Sequence, residues 1–154
     1  MVKGNGAPAA PVVQVRDLNK TYTPGCDDCA VLHGVDLDIH VGEFVVLLGV
    51  SGSGKSTLLN LISGLDQPTG GSVQVEGTEI TALSEHERTV FRRNRIGIVF
   101  QFFNLIPTLT ILENVTLPLE LRGTRRAEAN HQARALLERV GLGGRADDFP
   151  DKLS

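Results

Sequence analysis

Hydrophobic and polar positions follow two different rhythms in the first hundred residues. From Val35 to Val41 the chain alternates: Val35, Leu37 and Ile39 are apolar, while Asp36, Asp38 and His40 are polar. That period of two marks a strand with one wet face. "PVVQVRDL" and "GSVQVEG" alternate more briefly in the same way, so the three segments predict a small, half-exposed antiparallel sheet. "FVVLLG" (Phe44 to Gly49) and "IGIVFQ" (Ile96 to Gln101) are apolar on both faces, which predicts strands buried in a parallel α/β sheet.

Helical spacing follows. Leu58, Leu59, Ile62 and Leu65 predict a helix after the first buried strand, with Gly64 near its end. Ser84 with Glu87, and Thr110 with Glu113, have the spacing of capping boxes. Pro118 is expected to kink or end the helix that starts at Thr110. Ala129, Ala133, Leu136, Leu137 and Val140 form an apolar stripe stopped by Gly141. The chain from Thr110 to Gly141 is therefore helical with no strand between.

Composition narrows the class. With 154 residues, 41% of them hydrophobic and 21% charged, the chain suits an ordinary globular domain. A net charge of -3 gives no general reason to expect nucleic acid, and none is expected as a partner. The cluster "RRNR" (Arg92 to Arg95) is expected to be a solvated helix end. No run reaches the about 18 apolar residues of a membrane span. The start, "MVKGNGAPAAP", has no apolar signal core, so residues 1–10 read as a disordered tail and the expected compartment is the reducing cytoplasm. Cys26 and Cys29 in "CDDC" are expected to be a reduced loop. They lie between strands rather than at a helix start, Asp27 and Asp28 oppose a thiolate, and only His33 and His40 are near enough in sequence to complete a zinc set.

The strongest chemical signal is "GVSGSGKST", Gly49 to Thr57, which matches the phosphate-loop pattern G-x-x-x-x-G-K-[ST]. Gly49, Gly52 and Gly54 allow a tight curl that turns backbone amides toward phosphate oxygens, and the following helix adds its positive end. Lys55 can reach the outer phosphates and the Ser56 hydroxyl can ligate Mg²⁺. The four fixed positions coincide by chance in roughly one 150-residue chain in a hundred or fewer. The guanine-reading N-K-x-D is missing, since "NKTY" at Asn19 to Tyr22 has no aspartate. Tyr22, the one tyrosine, could stack a purine or simply pack at a strand end.

At this point the chain resembles the ATP-binding subunits of ABC transporters. Tyr22 in "LNKTYTPG" resembles the family's adenine-stacking aromatic loop. "GVSGSGKST" is similar to its Walker A form. Gln101 in "GIVFQFFNLIPTLTILENV" resembles the glutamine that contacts Mg²⁺ and the attacking water, and "FPDKLS" resembles the approach to the signature L-S-G-G-Q.

The resemblance implies an α/β P-loop NTPase with a partly parallel core sheet, an antiparallel β flank and a helical subdomain. Residues 11–101 would be the nucleotide-binding core and 102–154 the helical subdomain. The implied nucleotide contacts are Tyr22, Gly49, Val50, Ser51, Gly52, Ser53, Gly54, Lys55, Ser56, Thr57 and Gln101. Ser56 and Gln101 would serve Mg²⁺, and Ser154, matching the signature serine, would reach ATP on an opposite subunit. ATP and Mg²⁺ would be the cofactors. A membrane permease and a second copy would be the partners, placing the protein on the inner face of the cell membrane. "VFQFFNLIPTLTILENVTLPL" and "GLDQPTGGSV" are most similar to the subgroup for lipoprotein release, macrolide efflux and antimicrobial-peptide export.

No apolar strand ending in Asp-Glu follows Gln101, so the family's Walker B aspartate, catalytic glutamate and switch histidine have no counterpart in these residues. The chain is expected to be an N-terminal portion with an incomplete core sheet, without turnover on its own, aggregation-prone and weakly cooperative. A non-catalytic ATP-binding regulatory module is an alternative, and so is a small P-loop kinase with "RRNR" closing on the phosphates.

Overall fold

A computed structural model of the chain describes residues 10–22 and 29–153. Residues 1–9, which hold most of the expected tail, lie outside the described residues, as do Cys26 and Ser154. The chain divides into two compact units, 1–92 and 93–154.

In the first unit, β1 (Val13–Tyr22), β2 (Cys29–Ile39), β3 (Gly70–Val75) and β4 (Thr78–Glu79) form one sheet in the order β2-β1-β3-β4. Every pairing in it is antiparallel. The alternation of β2 survives in space: Val35, Leu37 and Ile39 are half-buried, whereas Asp36 and Asp38 face water. Helix α1 (Lys55–Ile62) lays Leu58 and Leu61 into a core with Val15, Leu18, Leu32, Val73, Val75 and Ile80. The buried stripe of α1 thus differs from the expected one. Leu61 is inside, while Leu59 and Leu65 are exposed.

Gly64 ends this helix in the left-handed region at φ 68°. Its amide donates to the Leu61 carbonyl at 3.0 Å and that of Leu65 to the Asn60 carbonyl at 2.8 Å. These two bonds are a Schellman closure.

The two segments expected as parallel strands are a correction. No residue of 44–49 or 96–101 is in a strand, and Phe44 (92% exposed), Leu48 (89%) and Val99 (99%) stand in water. Only Leu47 of the first segment packs against the core. A strand exists only as one side of a ladder, and among the described residues none pairs with either segment. Their apolar pattern predicts a burial that these segments do not have among the described residues.

Helix α2 (Glu85–Arg95) runs across the boundary between the units. It begins with the Ser84–Glu87 box: the Ser84 amide donates to Glu87 Oε2 at 2.9 Å, and the Glu87 amide to Ser84 Oγ at 3.4 Å.

The second unit pairs α3 (Ile111–Leu121) with α4 (Arg126–Arg139) around Ile111, Leu112, Ala133, Leu137 and Ala146. Thr110 and Glu113 form the expected box, with amide bonds of 2.9 and 3.2 Å. Pro118 neither ends nor limits α3, which continues to Leu121. Its missing N–H removes one bond, but its ring faces solvent and the capping box anchors the helix start. The stripe on α4 is buried at Ala129, Ala133 and Leu137 only. Leu136 and Val140 are exposed and, with Val115, Leu137 and Arg139, line a shallow groove of about 310 Å³.

Two predictions follow from this packing. Produced alone, the 154-residue chain should self-associate through its exposed apolar segments, giving sedimentation coefficients that rise with concentration. A monodisperse monomer with a sharp, reversible thermal transition would contradict this.

The second concerns the α3 cap. Thr110→Ala should cost about 1 kcal/mol locally, so the Glu113 amide should exchange about fivefold faster. The Thr110 amide, then its hydroxyl, holds the Glu113 carboxyl below its ordinary pKa. Because the folded value is the lower one, this stabilisation is present above the ordinary carboxylate range and is lost as pH falls through the folded value. Exchange measured down a pH series should show that direction.

Candidate functional site

The P-loop lies between β2 and α1, in the first unit. α1 starts differently from α2 and α3. Its N-cap is Gly54, which brings no side-chain acceptor, and its first turn holds no acidic residue. The amides that Ser84 and Thr110 satisfy elsewhere are left here without a side-chain cap, beside the positive end of the helix.

Gly54 sits at φ 84°, where a side chain is strained, and it is packed against β2. A Cβ there would lie 2.9 Å from Leu32 Cδ2 and 3.1 Å from the Val31 carbonyl. At Gly49 a Cβ would lie 2.6 Å from Ser53 Oγ. Gly52 also has a positive φ, 81°. The Ser53 amide donates to the Val50 carbonyl at 3.3 Å, closing the turn.

The Lys55 ammonium folds back over the loop and donates to the carbonyls of Gly49 (2.8 Å) and Val50 (2.7 Å), with Ser53 Oγ at 3.4 Å. Val50, Ser51, Gly52, Ser53 and Ser56 are exposed, and Lys55 and Thr57 are half-buried. These three partners of the cation are neutral oxygens, which phosphate oxygens can replace.

Tyr22 ends β1 and is 39% exposed. Its hydroxyl donates to Asp66 Oδ2 at 2.9 Å. Lys20, on the same face of β1, is only 8% exposed and donates to Asp66 Oδ1 at 2.8 Å and the Gln67 carbonyl at 2.6 Å. Its ammonium lies 4.7 Å from the Tyr22 ring centroid. Burial pushes the Asp66 pKa up, but the bonds from Lys20, the Gln67 amide and Tyr22 outweigh it and leave the value lowered. Sequence reading missed Lys20 and Asp66. The available signal was Leu18-x-Lys20-x-Tyr22, which puts a charge at an inward-facing position of a strand.

Gln101 is exposed and belongs to the 93–154 unit, while the loop belongs to the 1–92 unit. Ser154 lies outside the described residues. Arg92 is not a solvated end, because its guanidinium donates to the Gly64 carbonyl and to Thr89 Oγ1. Arg93 donates to the Leu121 carbonyl at 3.1 Å. Cys29 is exposed and free. His40 Nδ1 lies 3.5 Å from Glu43. Among the described residues no group of three His, Cys, Asp or Glu could hold a metal, and no helix is long and apolar enough to cross a membrane.

A glycine loop that opens an uncapped helix and carries an inward-folded lysine defines a P-loop nucleotide-binding protein. Comparison with known proteins narrows this. The sequence profile of the ABC transporter family matches residues 32–154.

An uncharacterized ABC transporter ATP-binding protein of Mycobacterium tuberculosis is 57% identical over 144 residues, which are 94% of this chain and 58% of that protein. The lipoprotein-releasing system ATP-binding protein LolD of Pseudomonas fluorescens is 49% identical, over 93% of this chain and 63% of its own length. The solved dimeric ATP-binding cassette bound to ADP and Pi superposes with a TM-score of 0.85 at 42% identity, covering 92% of this chain and 63% of that one. The chain belongs to the ABC transporter family, in its ATP-binding portion. It spans about three fifths of the length of these relatives.

The loop geometry yields one prediction. Gly54→Ala should destabilise the strand–loop–helix junction by about 1–2 kcal/mol, from the left-handed backbone and the contact with β2. Faster exchange of the Leu58 amide, bonded to the Gly54 carbonyl at 2.8 Å, would report it. Unchanged exchange there would contradict it.

Proposed function

We propose that the natural gene product binds MgATP through Gly49 to Thr57 and couples ATP hydrolysis to work by a membrane permease. The uncapped α1 start, set beside the inward-folded Lys55, carries this reading. The amides of Gly49, Val50, Ser51, Gly52 and Gly54 line the cradle, and the Ser53 amide, bonded to the Val50 carbonyl, holds its curl. Those of Lys55, Ser56 and Thr57 add the helix end. Lys55 exchanges its carbonyl partners for phosphate oxygens. The cradle fits such a group: a Cβ at Gly49 would crowd Ser53 within the loop, and one at Gly54 would press the loop away from Val31 and Leu32 of β2.

The Ser56 hydroxyl, exposed at the first turn, is a ligand for Mg²⁺, and Gln101 is the residue that the family resemblance assigns to the same ion. Bound Mg²⁺ supplies charge neutralisation to the outer phosphates. Tyr22 offers a ring to the base. Ser154 is assigned to the ATP of an opposite subunit.

Two copies sandwiching nucleotide would form the working unit. The solved relative, a dimer bound to ADP and Pi, supports that assembly. The protein would act at the inner face of the cell membrane, attached to its permease from the cytoplasm. Residues 11–101 would serve nucleotide and 102–154 would be the helical subdomain. Similarity to LolD, and to the macrolide export protein MacB of Brucella abortus at 46% identity, supports the export subgroup.

Lys55→Ala should weaken ATP binding by about tenfold to a hundredfold, as expected for loss of a charged hydrogen-bonding partner. Far-ultraviolet circular dichroism should be unchanged. Undiminished affinity in the folded variant would refute the phosphate assignment.

A further inference from the structure

We infer that Lys20 and Asp66 are positioning residues that fix the Tyr22 ring for a planar nucleotide base. The inference rests on the reading that Tyr22 takes the base.

Lys20 occupies a position where the strand wants an apolar side chain. Val15 and Leu18, on β1 before it, are fully buried and apolar. A buried ammonium must be compensated, and an apolar residue of similar size would serve stability at least as well. What the lysine adds is geometry. Asp66 presents Oδ1 to the Lys20 ammonium at 2.8 Å and Oδ2 to the Tyr22 hydroxyl at 2.9 Å. The ammonium then lies over the ring at 4.7 Å from its centroid, within cation–π range. The Gln67 amide donates to Asp66 Oδ1 at 2.7 Å, so the carboxylate is itself held.

The ring is therefore tethered at its hydroxyl and occupied by a cation on one face. The side chain remains 39% exposed, and the face away from Lys20 is the one assigned to a planar ligand. Fixing a ring in advance removes the rotamer entropy that a free tyrosine would lose on stacking, a factor of about two- to tenfold in affinity. That gain concerns the base alone, because phosphate groups are held by the loop.

The test compares ADP with inorganic pyrophosphate, both with Mg²⁺, by calorimetric titration of the natural gene product. The readout is the ratio of the pyrophosphate Kd to the ADP Kd. Tyr22→Ala should lower this ratio. If it does not, Tyr22 does not take the base, and the positioning role fails with that reading. If it does, Asp66→Asn should lower the ratio about two- to tenfold with pyrophosphate affinity unchanged. Tyr22→Phe, which keeps the ring and removes only the tether, should also lower it and serves alone if Asp66→Asn does not fold. An unchanged ratio in either folded variant overturns the positioning role while leaving the base reading intact. Equal loss of both ligands shows a merely structural role and overturns it as well.

Discussion

A phosphate-binding loop has to keep backbone amides unpaired and still hold them in place. Most of the first unit meets that constraint. Gly54 gives α1 no side-chain cap, whereas Thr110 and Glu113 satisfy the same groups on α3. Position is then fixed from behind. Leu58 and Leu61 fasten α1 to the sheet, and Gly54 rests against Val31 and Leu32 of β2. The antiparallel sheet acts as the platform on which an otherwise unsatisfied helix end is held open.

The same logic explains the tie at the end of β1. Lys20, Asp66 and Tyr22 come from two segments on either side of α1, with Asp66 two residues after the Gly64 closure. The Schellman bond of the Leu65 amide and a further bond from the Asp66 amide at 3.2 Å, both to the Asn60 carbonyl, fix where that carboxylate begins. Helix termination and ring placement are thus linked by a few residues of chain. The glycine that stops the helix also sets the aspartate that holds the aromatic.

Much of this was legible in the sequence because it rests on local rules. Alternation along β2 depends only on which neighbours face water. Both capping boxes need only a spacing of three, and the loop's glycines and lysine serve nearby backbone. What was illegible depends on distant partners. Phe44 to Gly49 and Ile96 to Gln101 carry the apolar pattern of buried strands, yet pattern cannot supply a neighbouring strand, and none pairs with them among the described residues. Leu59 and Leu61 are equally apolar, and only the direction of the sheet decides that Leu61 is the buried one. Lys20 resembles a surface lysine until Asp66, 46 residues later, arrives to compensate it.

The central claim is that the amides from Gly49 to Thr57 receive phosphate. Its most direct test is an NMR titration of the natural gene product with MgADP, following backbone amides residue by residue. The amides of Gly52, Gly54, Lys55, Ser56 and Thr57 should shift downfield in saturable fashion, while those in the middle of α4 stay in place. Saturable binding that leaves the loop amides unmoved, or no binding at all by a folded protein, would contradict it.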